Sequence, residues 1–449
     1  MTAASRGPGG PPTSPHTIVV DLGYGDAGKG AVVDRLSRTG EFTAVVRFNG
    51  GAQAAHNVVT EDGRHHTFAQ FGSGTLRGVP GHLSRFTCVD PLALAAEADH
   101  LRALGVPDPY GLLTVDRRAL LTTPYHAAAN RLREQARGAA RHGSCGMGVG
   151  ETTAYALAHP RDAPTAGDCA SRPRLLRLLR LLRDRLADEL GPLPAPPPED
   201  CVDACTAFAR TVTLTGEHHL RDLARRGPLL FEGAQGVLLD EWHGFHPYTT
   251  WSTTTFAHAE TLLEEAGDGG SARRLGVVRT FTTRHGPGPL VTEDPELAAL
   301  LPEPHNGHGR WQGAFRVGHF DAVAHGYAVE VCGGVDALAV THLDAAARVG
   351  TLRICRGYGL DGTLVERLAP GPPRDLVHQA ELTGRLLGAA PAVWDTPGPD
   401  PEDWTAALSA LLGAPVLVAS SGPARQELRD LRSMGKSKYV SGKGSPLSV

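Results

Sequence analysis

The stretch "TIVVDLGYGDAGKGAVVDRLSR" (17–38) decides the fold. It opens on an apolar, β-branched run, passes through "GYGDAGKG" (23–30), and continues after Lys29 with apolar residues at helical spacing. Strand, glycine turn and helix in that order build a phosphate cradle, because the free N–H groups at a helix N-terminus attract anions. The loop almost fits G-x-x-x-x-G-K-[S/T], with Gly23, Gly28 and Lys29 in place. Gly30 stands where a Ser or Thr hydroxyl would hold magnesium, and a carboxylate, Asp26, lies inside the loop.

Lysine usage singles out the same loop. The chain has 40 arginines and four lysines, and three of the lysines (Lys436, Lys438, Lys443) fall near the C-terminus. The fourth is Lys29, at the place where a compact ammonium fits between phosphates better than a broad guanidinium does.

Outward from the loop, "FTAVVRFNGG" (42–51) reads as a second strand, "DPLALAAEADHLRALG" (90–105) as a helix with an acidic start and a glycine stop, and "APVLVASSG" (414–422) as a late strand. Strands alternating with helical stretches predict an α/β fold with a large, mostly parallel central sheet flanked by helices. "RPRLLRLLRLLRDRLADELG" (172–191) places leucines on one broad face and arginines on the other, which predicts a surface helix packed on its own domain. "GPLPAPPPED" (191–200) and "LAPGPPRD" (368–375) read as loops, and no internal repeat is present.

Composition narrows the function. With 449 residues and 41% hydrophobic content the chain can bury a sizeable core, and a formal net charge of −4 gives no basic footprint for nucleic acid. No apolar run approaches the roughly 20 residues that span a bilayer, and the first residues lack the pattern of a secretory signal. The expected protein is cytoplasmic, with small molecules or its own copies as partners. Seven scattered cysteines without a C-x-x-C pair indicate neither a disulfide framework nor a zinc site, and Cys201 and Cys205, four apart, read as core thiols.

Five stretches in order, "GYGDAGKG" (23–30), "NGGAQAAHNVV" (49–59), "FEGAQGVLLDEWHGFHPYTT" (231–250), "TFTTRHGPGPLVTE" (280–293) and "THLD" (341–344) with "SSGP" (420–423), resemble adenylosuccinate synthetase. The resemblance runs from residue 17 to about 430 and implies one catalytic domain, 17–430, between flexible tails 1–16 and 431–449. It implies a homodimer whose site borrows from a second subunit, with GTP as co-substrate and magnesium. The family phosphorylates the 6-oxygen of inosine monophosphate from GTP and lets the amino group of aspartate displace the phosphate.

By this resemblance Asp26 is the general base and contacts magnesium, which answers the missing hydroxyl with a carboxylate in the loop. His56 matches the histidine that donates to the transferring phosphoryl group, and Gln235 the glutamine that hydrogen-bonds the reacting base. Gly25, Gly28, Lys29, Gly30 and Asn57 fall on the nucleotide side. Asp344 matches the guanine-reading carboxylate, beside His342 and the wall Ser420, Ser421 and Gly422. His342 replaces a family lysine, so a lysine there is expected to tighten GTP. Gln53, Ser144, Cys145, Gln235, Thr250 and Arg316 fall on the substrate side, and Ala55 at a residue whose carbonyl touches magnesium.

The departures cluster on that substrate side. Ala27 replaces a glutamate, Ala55 a glycine and Gln53 an asparagine, while "GSCGMG" (143–148) puts Cys145 at a phosphate-contacting threonine and Met147 at an arginine. His159 and Arg161 are the nearest candidates for the arginine that one subunit lends its neighbour. The aspartate-binding loop, a run of four arginines in the family, reads "RWQGAFRVGHFD" (310–321) and leaves Arg316 and Arg310. Lost charge-assisted contacts of about 1.5–3 kcal/mol each weaken binding of a dicarboxylate or phosphomonoester. The expectation is a specialised paralogue that keeps GTP-dependent activation while its oxo substrate, its amine or both have changed. Its arginine-rich, alanine- and glycine-rich composition fits a secondary-metabolite setting. The alternatives are a divergent enzyme that still uses inosine monophosphate and aspartate, a GTP-dependent kinase acting without an amine, and a non-catalytic GTP-binding protein.

Overall fold

A computed structural model describes residues 15–269, 272–303 and 306–431. Ten strands form its central sheet: β1 (His16–Asp21), β2 (Ala44–Arg47), β3 (Gly81–Leu83), β4 (Leu113–Asp116), β5 (Thr213–Thr215), β6 (Leu229–Glu232), β7 (Ala272–Arg279), β8 (Ala337–Thr341), β9 (Val416–Ser420) and β10 (Leu428–Asp430). Their order is β10-β9-β8-β7-β1-β6-β2-β3-β4-β5. Neighbours run parallel except the edge pair β9 and β10. The mostly parallel sheet expected from the alternation of strands and helices is present.

The apolar run of β1 reflects burial on both faces. Ile18 and Val20 enter one core with Val46, Phe231, Val278 and Val340, while Val19 enters the other with Val45, Leu230 and Val277. Helix α1 (Lys29–Ser37) covers the second face through Val32 and Val33. Covering helices on both sides are what make a parallel strand read as continuous hydrophobic sequence.

β1 lies between β6 and β7, so the loops leaving the C-terminal ends of these strands converge. Such an edge is where open α/β sheets place their ligands. A smaller sheet continues from β7: the strand Phe281–His285 pairs antiparallel with Phe315–Asp321, which runs parallel to Ile354–Leu360.

The helix expected at 172–191 spans Arg172–Leu190 and buries Leu175, Leu178, Leu179, Leu182 and Leu186. Its arginines pair with carboxylates of the same chain, including Arg180 with Glu199 and Arg185 with Asp162. Among the described residues no helix is long and apolar enough to cross a membrane. Helix Pro91–Ala103 starts as its sequence predicts, with the Asp90 carboxylate accepting from Leu92 and Ala93 N–H. Cys201 and Cys205 are free thiols buried in helix Pro198–Thr211.

The expected N-terminal boundary shifts by one residue. His16 begins β1 and is fully buried, its Nδ1 accepting from Leu229 N–H at 2.9 Å. Of the expected tails, residues 1–14 and 432–449 lie outside the described residues.

Candidate active site

The glycine-rich loop folds around a carboxylate outside its motif. Asp21, at the end of β1, accepts from Gly23 and Gly25 N–H through Oδ1 (2.8 and 3.3 Å) and from Ala27 N–H through Oδ2 (2.9 Å). Lys29 Nζ lies 3.0 Å from the same Oδ2, and both side chains are buried. Lys29 is thereby held at the start of α1 with its charge directed at the loop.

Gly30 has a steric explanation. A Cβ there would stand 2.7 Å from His56 Cβ and 2.9 Å from its carbonyl carbon. The strand His56–Val59 packs directly on the N-terminus of α1, so the position that usually carries a hydroxyl has no room for one. Gly236 is as constrained, since a Cβ there would come within 2.3 Å of the Gly23 carbonyl. This close approach brings the turn after β6 onto the loop after β1.

Asp26 sits in the left-handed region, with φ of 58°. Arg279 Nη2 donates to its carbonyl at 2.5 Å, and its Oδ2 lies 3.0 Å from His285 Nε2. Burial alone would raise the carboxyl pKa, but the His285 hydrogen bond and the charges of Arg279 and Lys29 prevail and hold it below the ordinary value. The carboxylate is ionised and basic groups surround it.

His56 is buried and its Nδ1 stands 2.6 Å from Glu232 Oε1 at the end of β6. Ser73 completes the carboxylate shell, its N–H donating to Glu232 Oε2 at 2.9 Å and its hydroxyl to Oε1. Burial, with the Arg47 charge, lowers the His56 pKa against the pull of Glu232. Nδ1–H donates to the carboxylate and the neutral ring keeps its lone pair on Nε2. Lys29 acts electrostatically on both Asp26 and His56, so the three converge on one end of α1.

Gln235 also has positive φ, 59°, and its buried Oε1 has no hydrogen-bond partner. Its side chain closes on Gly50, where a Cβ would be 3.2 Å from Oε1. The buried Oε1 of Gln53 is unpartnered as well. Two orphaned amide oxygens on loops beside the cradle are what a site awaiting hydrogen-bond donors presents. Asn57 differs: its Oδ1 already accepts from His65 Nε2 (2.9 Å) and Thr67 Oγ1 (2.7 Å) within the hairpin.

The ends of β8 and β9 meet next to the loop, tied by Leu343 N–H donating to the Ser420 carbonyl at 3.0 Å. His342 (φ 56°) accepts from Arg279 at Nε2 (3.2 Å), while its Nδ1 contacts Thr341 Oγ1 (2.8 Å), which donates to the Ala27 carbonyl (2.8 Å). Burial and Arg279 hold the His342 pKa well below its ordinary value. Asp344 is partly exposed, 3.6 Å from Arg348, and burial raises its pKa. Ser420 Oγ donates to the Gly422 carbonyl at 2.8 Å, and Ser421 N–H to the Glu427 carbonyl at 3.2 Å. Asp344 and the 420–422 turn therefore share one edge of the sheet.

The remaining residues divide. Ser144 Oγ accepts from Asn130 Nδ2 (2.8 Å), and Cys145 is a thiol whose pKa burial pushes up. Met147 is partly buried, and Gly146 lies against the Trp311 ring, where a Cβ would be 2.6 Å from the indole. That contact docks loop 143–148 on loop 306–314. Thr250 is half-buried, its N–H donating to the Leu239 carbonyl at 2.8 Å. Ala55 presents an exposed methyl group. Arg316 is committed within the chain: it pairs with Glu293 through Nε (2.9 Å) and Nη2, and Nη1 donates to the Gly286 and Gly288 carbonyls (3.1 and 2.8 Å). Arg310 is exposed over Trp311, 5.0 Å from the ring centre. His159 packs 4.8 Å from the Tyr155 ring, and Arg161 is exposed beyond helix Val149–Ala158.

Glu232, His285, Arg279 and Asp21 escape a reading of the motifs alone. Each lies in or beside a quoted stretch, and the usable signal was a titratable side chain at a strand end; Asp21, Glu232 and Arg279 end parallel strands, which deliver residues to the ligand edge, and His285 ends a strand of the smaller sheet. Which partner each would meet depends on strand order, which the sequence does not display.

The adenylosuccinate synthetase family model matches residues 18–429. The adenylosuccinate synthetase of Alkalilimnicola ehrlichii is 35% identical over 439 residues, covering 92% of this chain and 97% of its own. That of Ectopseudomonas mendocina is 34% identical, covering 93% and 98%. Among solved structures, fully ligated adenylosuccinate synthetase from Plasmodium falciparum superposes with a TM-score of 0.78 at 19% identity, over 92% of this chain and 99% of that one. The succinoaminodeoxyadenylate synthetase of cyanophage S-2L, bound to dGMP and to dATP as an energy donor, gives 0.60 at 18% identity, over 93% and 95%. The structural matches bear out the fold, and the family model with the curated relatives identifies the chain as a member of the adenylosuccinate synthetase family of GTP-dependent carbon–nitrogen ligases.

Proposed function

We propose that this ligase phosphorylates a carbonyl or lactam oxygen, that of inosine monophosphate or a related oxo compound, and lets an amine such as aspartate displace the phosphate. One observation carries the reading: Asp26, ionised and hydrogen-bonded, and His56, held by Glu232, flank the buried Lys29 at the start of α1. Asp26 takes the lactam proton as the oxygen attacks the γ-phosphorus and the bond to the bridging oxygen of GTP breaks. His56, protonated once phosphate charge arrives beside it, donates from Nε2 to the transferring group, with Glu232 stabilising the imidazolium. The amine then attacks the activated carbon, phosphate leaves with the former oxo oxygen, and the amine loses a proton. Gln235 and Gln53 offer their free amide oxygens to the acceptor.

Asp344 accepts from guanine N1–H and the 2-amino group, which makes GTP the donor. ATP is the necessary control, because the cyanophage neighbour is bound to dATP as an energy donor. Magnesium fits the donor set. Among the described residues no cluster of three His, Cys, Asp or Glu side chains could hold an ion. The ion would therefore rest on phosphate oxygens together with Asp26 and the Ala55 carbonyl, as magnesium usually does. Bound there, it would neutralise phosphate charge.

The amine side supports a changed substrate. Arg316 is neutralised by Glu293 and tied to two carbonyls, which leaves Arg310 as the cation of that loop for a carboxylate. The same observation favours, as a second reading, a kinase that releases the phosphorylated acceptor without an amine. Exposed Trp251 and Leu157, on and beside helix Val149–Ala158, support a homodimer through that face. We place the enzyme in the cytoplasm, in specialised metabolism.

The test is a product screen: purified protein, magnesium and GTP or ATP with oxo-purine nucleotides and a panel of amines, read by mass spectrometry. A carbon–nitrogen product formed only with GTP supports the ligase. A phosphorylated acceptor with no amine consumed supports the kinase. GTP binding without turnover for any acceptor contradicts both.

A further inference from the structure

The reading above gives Asp26 a task, and the structure shows what aims it. We propose that His285 is a positioning residue for the phosphoryl-transfer step: by donating to one lone pair of Asp26 Oδ2 it fixes the carboxylate, leaving Oδ1 to take the acceptor's proton and the second lone pair of Oδ2 for the ion. This inference rests on the proposed role of Asp26.

Asp26 lies in a glycine-rich turn at positive φ, and its backbone is pinned by Arg279 at the carbonyl. Its side chain is another matter. Lys29, the nearest cation by sequence, is engaged with Asp21 and does not hold it. Among the described residues, the side chain hydrogen-bonded to the Asp26 carboxylate is His285, with Nε2 3.0 Å from Oδ2. A carboxylate only accepts, so Nε2–H is the donor.

His285 is built for a fixed position. It ends the strand Phe281–His285, is paired in register with Phe315, and its ring lies 4.8 Å from the Phe315 ring. The preceding residue, Arg284, anchors the strand end by donating to the carbonyls of Pro287, Pro289 and Tyr248. His285 itself is 25% exposed and Asp26 31%, so the pair is open to solvent and is not core packing. Without the donor, the carboxylate turns freely about its side-chain torsions and presents either oxygen at varying angles. Proton abstraction depends on hydrogen-bond geometry, and misplacement of about 1 Å can cost about 100-fold in rate.

Two substitutions separate positioning from bulk. His285→Gln keeps an N–H donor of similar reach, and His285→Leu keeps volume without a donor. Turnover is measured on GTP with inosine monophosphate and aspartate, or with the pair that the product screen identifies. His285→Leu is expected to lose about 100-fold in kcat, with KM for GTP and acceptor within about 3-fold, and His285→Gln to recover most of that loss. The double variant Asp26→Asn with His285→Leu is expected to be no worse than Asp26→Asn alone, because one residue acts through the other. Wild-type kcat in His285→Leu, or equal loss in the Gln and Leu variants, would overturn the inference while the role of Asp26 stands. Wild-type turnover in Asp26→Asn would overturn both.

Discussion

His56 Nδ1 stands 2.6 Å from Glu232 Oε1, and both side chains are buried. The strand that delivers His56 and the strand that delivers Glu232 are 176 residues apart, and the contact fixes which ring nitrogen can serve the phosphoryl group. Removing the carboxylate orphans the Ser73 N–H and hydroxyl together with the ring. Glu232→Ala is expected to destabilise the fold by about 3 kcal/mol and to abolish turnover, whereas Glu232→Gln keeps an acceptor for Nδ1 and loses mainly kcat. Thermal melts and GTP turnover on both variants check this, and an active Glu232→Ala protein would contradict it.

Restoring the usual hydroxyl should not help. Gly30→Ser forces a Cβ to 2.7 Å from His56 Cβ, an overpacking that costs about 1–3 kcal/mol. The expected result is a lower melting temperature and weaker turnover from a displaced His56. A stable variant with unchanged activity would show that the contact yields.

A lysine at 342 reverses the expectation drawn from the sequence. His342 accepts from Arg279 at 3.2 Å and connects through Thr341 to the Ala27 carbonyl. His342→Lys replaces that acceptor with a cation facing a guanidinium, so GTP is expected to bind more weakly and the protein to melt earlier. Isothermal titration with GTP decides it, and tighter binding would contradict this arrangement.

Acid should unfold the protein well above the carboxylate range. Burial holds His82 and His126 at about 3 and His258 at about 4. Each stays neutral in the fold and protonates on unfolding below about pH 6.5, so each contributes stability that is lost as pH falls from there. Asp321, raised by burial to about 6, works the other way and offsets about one proton near pH 5. The net uptake from these four groups is about two protons, a slope of about 3 kcal/mol per pH unit near pH 5. Calorimetry between pH 7 and 5 should show melting temperatures falling steadily, and a flat profile would contradict the burial of these rings.

Much of this was legible before the structure. Residues 17–38 carry a strand buried on both faces, a glycine-rich turn and a helix, and the fold keeps that reading, with β1 beginning at His16. The leucine face of 172–190 packs as its period predicts. The polar partners were less legible. Asp21 to Lys29 is local, eight residues apart, but Glu232 to His56, His285 to Asp26 and Arg279 to His342 depend on the order β8-β7-β1-β6-β2. Strand order is a property of the whole chain, and no periodicity near any of these residues encodes it. Arg316 shows the reverse case: a residue plausible as a ligand from its motif is occupied by Glu293, 23 positions earlier.

In the proposed reaction the oxo oxygen of the acceptor leaves in the released phosphate. Inosine monophosphate labelled with oxygen-18 at the 6-position, or the equivalently labelled acceptor from the product screen, is turned over with GTP, magnesium and amine, and the released phosphate is analysed by mass spectrometry. One labelled oxygen is expected in each phosphate released, and none from the Asp26→Asn protein. Unlabelled phosphate from a protein that consumes GTP would mean plain hydrolysis, and would contradict it.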